Sequence, residues 1–303
     1  MADWGTMASS SSPTSPQIPL WERIFIGPRG LRAGWRLLLY IFLFLLIEYG
    51  LARLMRGLRV PRVRAPFGLL ISEGVLFLGV VLATLLMGKL ERHAWGRFGL
   101  PLAQTLGRMF WRGVVWGGAA LSLLLLVLRG LHHFYFGSLA IHGAAIWGYG
   151  AIWGLTFLLV ALFEESLFRG YALVTLVDGI GFWPAAGVLS ALFGAVHVQN
   201  NGESWLGAVS AGLIGLFFCL TVRRTGTLWF ALGFHAAWDW AETFLYSTPD
   251  SGLVAPGHLL NSSFQGPAWL TGGSVGPEGS GLVLLLIAGL AVVFHRRYRR
   301  IPT

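Results

Sequence analysis

The chain has 303 residues, of which 55% are hydrophobic and 12% charged, with a mean hydropathy of +0.67. Soluble domains carry about 25% charged residues, so the composition excludes an ordinary soluble domain and predicts one lipid-embedded bundle. The net charge of +9 does not point to nucleic acid: Lys89 is the one lysine, and nearly all the arginines lie between or beside apolar runs, where membrane topology places them.

The N-terminal stretch to about residue 20 is rich in Ser and Pro and lacks the basic-then-apolar order of a signal peptide. It reads as a disordered tail, followed by a single integral membrane domain over 21–303. A spanning helix needs roughly 20 mostly apolar residues. Eight segments qualify or nearly so: about 35–55, 67–89, 111–129, 147–172, 180–199, 204–222, 226–247 and 279–296. The fourth is able to continue to Asp178. The expected fold is therefore an all-α, polytopic transmembrane bundle of about eight spans.

Eight spans put both ends on one side. With that side cytoplasmic, 16 of the 22 basic residues fall inside, the C-terminal Arg296–Arg300 cluster among them. Arg53, Arg56, Arg59, Arg62 and Arg64 then fall outside, in an interfacial amphipathic stretch, and Asp250 and Glu278 share an external loop without Lys or Arg. That loop, 248–278, is expected to be an unstructured connection rather than a lid. The single cysteine, Cys219, excludes an intrachain disulfide and reads as a small buried apolar residue. Glu48 and Glu73 read as interhelical hydrogen-bond partners. Richness in Arg, Gly and Trp with one lysine suggests a bacterial chain, hence the inner (cytoplasmic) membrane.

A charged side chain at mid-membrane costs roughly 2.5–3.5 kcal/mol on insertion scales, so ionisable residues kept there are candidates for function. Three spans hold them. The fourth carries Glu164-Glu165-Ser166-Leu167-Phe168-Arg169, the fifth Phe193-Gly194-Ala195-Val196-His197, and the seventh His235-Ala236-Ala237-Trp238-Asp239. Glu165 and Arg169, four apart, share a helix face and can form an ion pair. Glu164 points about 100° away from Glu165, free to face a cavity. Phe193 and His197 share a face, as do His235 and Asp239. An i, i+4 His/carboxylate pair can ligate a metal or hold a polar substrate group between two donors. A wet pocket between the fourth, fifth and seventh spans is the tolerable place for such groups.

The order Glu-Glu-x-x-x-Arg, Phe-x-x-x-His, His-x-x-x-Asp over successive helices resembles the CPBP family (CAAX proteases and bacteriocin-processing enzymes, also called Abi). The likeness covers about 145–247, the expected catalytic core. The resemblance implies an intramembrane endopeptidase of CAAX-protease type acting on a membrane-associated protein or peptide. It implies that Glu164 acts with His197 to activate water and that His235 and Asp239 sit where the oxyanion is stabilised. Glu165 and Arg169 support them, and Phe193 packs beneath. An ionised Asp239 would repel an oxyanion, so it is protonated, orients His235, or binds a metal. The reading requires no cofactor; a divalent metal such as zinc, if bound, would be held by Glu164, His197, His235 and Asp239. The alternatives are a non-catalytic immunity or scaffold protein and, further off, a proton-coupled transporter.

Overall fold

A computed structural model describes residues 20–27, 30–59, 63–200, 202–253 and 256–298. The expected tail up to residue 19, Arg62, and Arg299 and Arg300 lie outside the described residues. The helices are α1 (Leu20–Phe25), α2 (Ala33–Gly57), α3 (Phe67–Glu91), α4 (Arg108–Gly130), α5 (Ala144–Glu165), α6 (Ala172–Ile180), α7 (Phe182–His197), α8 (Trp205–Thr225), α9 (Trp229–Trp240), α10 (Ala268–Thr271) and α11 (Gly281–Arg297). Helix thus occupies all eight predicted positions. Five stretches are long and apolar enough to cross a membrane: α2, α3, α4, the run Ala144–Ile180 and α8. The remaining three are shorter, with 16 residues in α7, 12 in α9 and 17 in α11.

Burial separates the lipid face from the interior. In α2 only Tyr40 and Phe44 are buried, while Leu38, Phe42, Leu45 and Leu46 stand exposed, as apolar residues can where the solvent is hydrocarbon. The short α9 is the opposite case. Nine of its residues, from Trp229 to Asp239, are buried, the pattern of a helix enclosed on all sides. It packs along α4, α5 and α8.

Glycine permits the closest of these contacts. A Cβ on Gly113 would stand 2.1 Å from the Phe230 carbonyl oxygen, one on Gly117 2.2 Å from that of Phe234, and one on Gly233 2.0 Å from that of Phe110. Without side chains at those points the α4 and α9 backbones touch, the small-residue contact by which helices associate in lipid. Gly194 does the same for α7 against α8, where a Cβ would lie 2.4 Å from the Ala208 carbonyl oxygen.

Two antiparallel ladders sit outside the helices. Strands β1 (Ile26–Gly27) and β2 (Gly30–Leu31) form a hairpin. Strands β3 (Phe134–Tyr135) and β4 (Ser263–Phe264) pair Phe134 with Phe264 and Tyr135 with Ser263. The second ladder, with α10 and the turn Pro277–Gly279, corrects the expectation of an unstructured connection over 248–278. Its strand is stitched to the segment after α4, and its end is fixed by the Ser280 hydroxyl, which accepts from the Leu282 N–H at the start of α11. At the other pole, Arg36 pairs with Glu91 and with Asp178 (3.6 Å), and Arg97 with Asp178 (3.3 Å), joining the ends of α2, α3 and α6. Glu48 departs from its expected role. It meets α3 at Gly79, yet its Oε1 is buried without a hydrogen-bond partner among the described residues.

Candidate active site

Both helices that carry the motif carboxylates widen by one turn just after them. Following Glu165, residues Ser166–Tyr171 form a π-type turn in which Gly170 leaves helical geometry (φ −81°, ψ −115°). Following Trp240, Ala241–Leu245 does the same. Such bulges recur at functional sites because they re-aim side chains that a regular helix would hold at fixed intervals.

The first bulge does not separate Glu165 from Arg169. Arg169 Nη1 donates to Glu165 Oε1 at 3.1 Å, with both side chains fully buried. The same carboxylate oxygen lies 3.1 Å from His235 Nδ1. On the far side of the imidazole, Nε2 is 3.3 Å from Asp239 Oδ2 and 3.8 Å from Glu164 Oε2. Phe218 stacks on the ring, its centroid 5.8 Å away. One histidine thus lies among three carboxylates, one of which, Glu165, is also paired with the Arg169 guanidinium.

Arg169 is held as much by rings as by Glu165. Its guanidinium carbon is 4.1 Å from the Phe193 centroid, and its Nε and Nη2 have no hydrogen-bond partner among the described residues. Facing aromatic π-density is a partial substitute for the missing acceptors. Gly215 leaves room for it, since a Cβ there would stand 2.3 Å from Nη2. Phe193 in turn packs on His197, with centroids 4.5 Å apart. His197 Nδ1 lies 2.8 Å from the Phe193 carbonyl oxygen. A carbonyl only accepts, so Nδ1 carries a proton, and in the neutral ring Nε2 holds the lone pair.

The seven residues singled out from sequence therefore form one contiguous set. Phe193, His197, His235 and Asp239 line a common pocket. Glu164 is not among the lining residues; it is part-exposed and stands 3.8 Å from His235, whereas Glu165 is fully buried. The pocket extends beyond the three expected spans. Ser210, Ile214 and Phe218 of α8 and Val283, Ile287 and Leu290 of α11 give it an apolar wall, and Glu278 enters from the returning loop. Sequence reasoning missed Glu278, Asp250 and Glu242. The available signal was three acids after Asp239 with no basic residue between Arg224 and Arg296.

Glu164, His197, His235 and Asp239 do not come within common reach of one ion. Among the described residues, the group of three or more whose ligand atoms all lie within 4.8 Å of one another is Asp239, Asp250 and Glu278. Outside the spans, burial and then the carboxylates around them push Asp250 and Glu278 above the ordinary carboxylate range.

Residues 146–241 match the family described as Type II CAAX prenyl endopeptidase Rce1-like. No curated protein matches the chain.

Proposed function

Residues 146–241 belong to the CAAX-type intramembrane protease family, and from that premise we propose an endopeptidase that cuts a membrane-associated protein or peptide with water activated by Glu164 and His197. The observation that carries this reading is the contact of His197 Nδ1 with the Phe193 carbonyl oxygen at 2.8 Å. With Nδ1–H committed to the Phe193 carbonyl, Nε2 is a ready acceptor on a residue lining the pocket. A side chain that takes a proton from the attacking oxygen contributes roughly 100- to 10,000-fold.

His235 suits the complementary task. Both ring nitrogens face carboxylate oxygens, an arrangement in which two N–H donors are satisfied together. Water loses its proton to the Glu164/His197 pair, and its oxygen bonds to the scissile carbonyl carbon. The oxyanion so formed draws on the His235 Nε2–H. Collapse of the tetrahedral intermediate breaks the C–N bond, and the abstracted proton passes to the departing amine. Of the roles open to Asp239, orienting His235 fits its place 3.3 Å from Nε2. The apolar α8 and α11 wall suits hydrophobic residues flanking the cut. The charge bias of the loops puts both termini on the cytoplasmic face, and composition suggests a bacterial inner membrane.

The test compares protein termini in host membranes of three strains: one lacking the chain, one with wild type and one with Glu164→Gln. New termini that require wild type and vanish with the variant are the expected result. Termini restored by the variant would remove Glu164 from the mechanism. Identical termini in all three, under conditions where loss of the gene has a phenotype, would replace the peptidase with an immunity or scaffold role.

A further inference from the structure

Against the pocket lies a second polar cluster that shares Asp239 with the hydrolytic scheme and adds three acids the scheme does not use. We propose that Asp239, Asp250 and Glu278, with Glu242 behind them, hold one hard divalent cation of the calcium or magnesium class between α9 and the loop that returns from it. Their ligand atoms lie within 4.8 Å of one another. Oxygens bound to one ion at about 2.3–2.6 Å adopt such a spacing. All the donors are carboxylates, which favour hard cations over zinc.

Glu242 supplies the independent observation. It is fully buried, and neither of its carboxylate oxygens has a hydrogen-bond partner among the described residues. The charges of Glu278, Asp250 and Asp239 all act on it, so it faces the same cluster. Across from it runs the loop backbone at Gly276 (φ +106°), where a Cβ would stand 2.0 Å from the Pro249 carbonyl oxygen and 2.9 Å from Glu242 Oε1. Among the described residues no arginine or lysine forms an ion pair with any of the four acids. Three buried carboxylates and a half-buried fourth, with His235 beside Asp239 as the one basic side chain in contact among the described residues, are costly, because each loses hydration and repels the rest.

The loop residues are also held as metal ligands commonly are. Thr243 Oγ1 donates to Asp250 Oδ2 at 2.9 Å, and Ser251 Oγ donates to Glu278 Oε2 at 2.6 Å. Each hydrogen bond fixes one oxygen and orients the other, as outer partners do around bound ions. Protons are the competing way to neutralise the cluster, and burial does raise Asp250 and Glu278. Cation and proton give opposite results in one experiment.

Full-length protein in detergent, stripped with chelator, is titrated with calcium, magnesium, manganese or zinc chloride while thermal unfolding is followed by tryptophan fluorescence. At least one of calcium, magnesium and manganese is expected to raise the midpoint by roughly 5 °C near saturation. Asp250→Asn and Glu278→Gln should each weaken that response by roughly 10-fold or more in concentration. Glu48→Gln, which alters a buried carboxylate elsewhere, should leave it intact. A wild-type midpoint indifferent to all three hard cations overturns the proposal even if the variants fail to fold. So does a response retained in both loop variants, or one given by zinc alone. The readout is binding, not hydrolysis, so either outcome leaves the protease reading where it stands.

Discussion

Two buried polar clusters hang from the same face of α9, and they solve the problem of charge in a membrane differently. Around His235, Glu165 and Arg169 are paired at 3.1 Å with no exposed atoms, and two aromatic rings cover what the guanidinium leaves unbonded. Less than two helical turns further on, Glu242 joins Asp239, Asp250 and Glu278 with no arginine at all. The first cluster carries its own cation on a neighbouring helix. The second is complete only when protons or an ion come from outside. A cluster that carries its own cation needs less from outside, which suits the support of the residue meant to receive an oxyanion. An unbalanced one couples the fold to its surroundings.

The sharpest way to break the contrast is to remove one charge from each cluster. Arg169→Met leaves the buried Glu165 carboxylate with His235 as its one remaining partner, and loss of one partner of a buried pair costs roughly 3–5 kcal/mol. Unfolding of the purified protein should show that loss, and the double variant Arg169→Met/Glu165→Leu should regain most of it. Failure of the double variant to recover would mean that the pair does more than neutralise itself.

Next in size is the shared support. Gly117→Ala drives a methyl against the Phe234 carbonyl oxygen, one residue before His235. Overpacking of this kind costs about 1–3 kcal/mol, and it should lower activity as well, since both clusters move with α9. Unchanged activity at reduced stability would show that the site tolerates displacement of its central helix. The counterpart of the Arg169 test is smaller and opposite in sign. In chelator, Glu242→Gln removes one of four mutually repelling carboxylates and should stabilise the protein by on the order of 1 kcal/mol.

The contrast also explains what was legible in the sequence. Glu164, Glu165 and Arg169 announce themselves because charges inside an apolar run are rare, and their i, i+4 spacing survives into the ion pair. His197 and Asp239 are visible for the same reason. Helix positions could likewise be read from apolar runs, though α9 fooled the length criterion: it is enclosed by α4, α5 and α8 and so need not match the bilayer. What could not be read was the fourth and fifth walls of the pocket. Ile214, Phe218 and Ile287 look like any lipid-facing residue until α8 and α11 are packed. Glu278 and Asp250 looked solvated because they follow a Gly- and Pro-bearing segment. Contacts distant in sequence, among them the β3–β4 ladder and the hydrogen bonds of Trp153 to the Pro256 carbonyl and of Ser210 to the Glu278 carbonyl, turn that segment back over the bundle. Local periodicity holds no record of such returns.

The smallest expected effect separates the clusters by their response to pH. Asp250 and Glu278 lie outside the spans, and burial raises both above the ordinary range. Over the interval between the unfolded and the folded values, the native state keeps protons that the unfolded chain has released. Stability therefore falls as pH rises through that interval, the reverse of a salt-bridged carboxylate. In chelator the unfolding midpoint should decline from about pH 4 upward, and Asp250→Asn should flatten the decline. With a saturating hard cation the ion replaces the protons, so the slope should shrink and apparent affinity should increase with pH. A decline that persists unchanged with cation present would assign the neutralising role to protons alone. The loop would then be a pH-dependent clasp on α9 rather than a metal-dependent one.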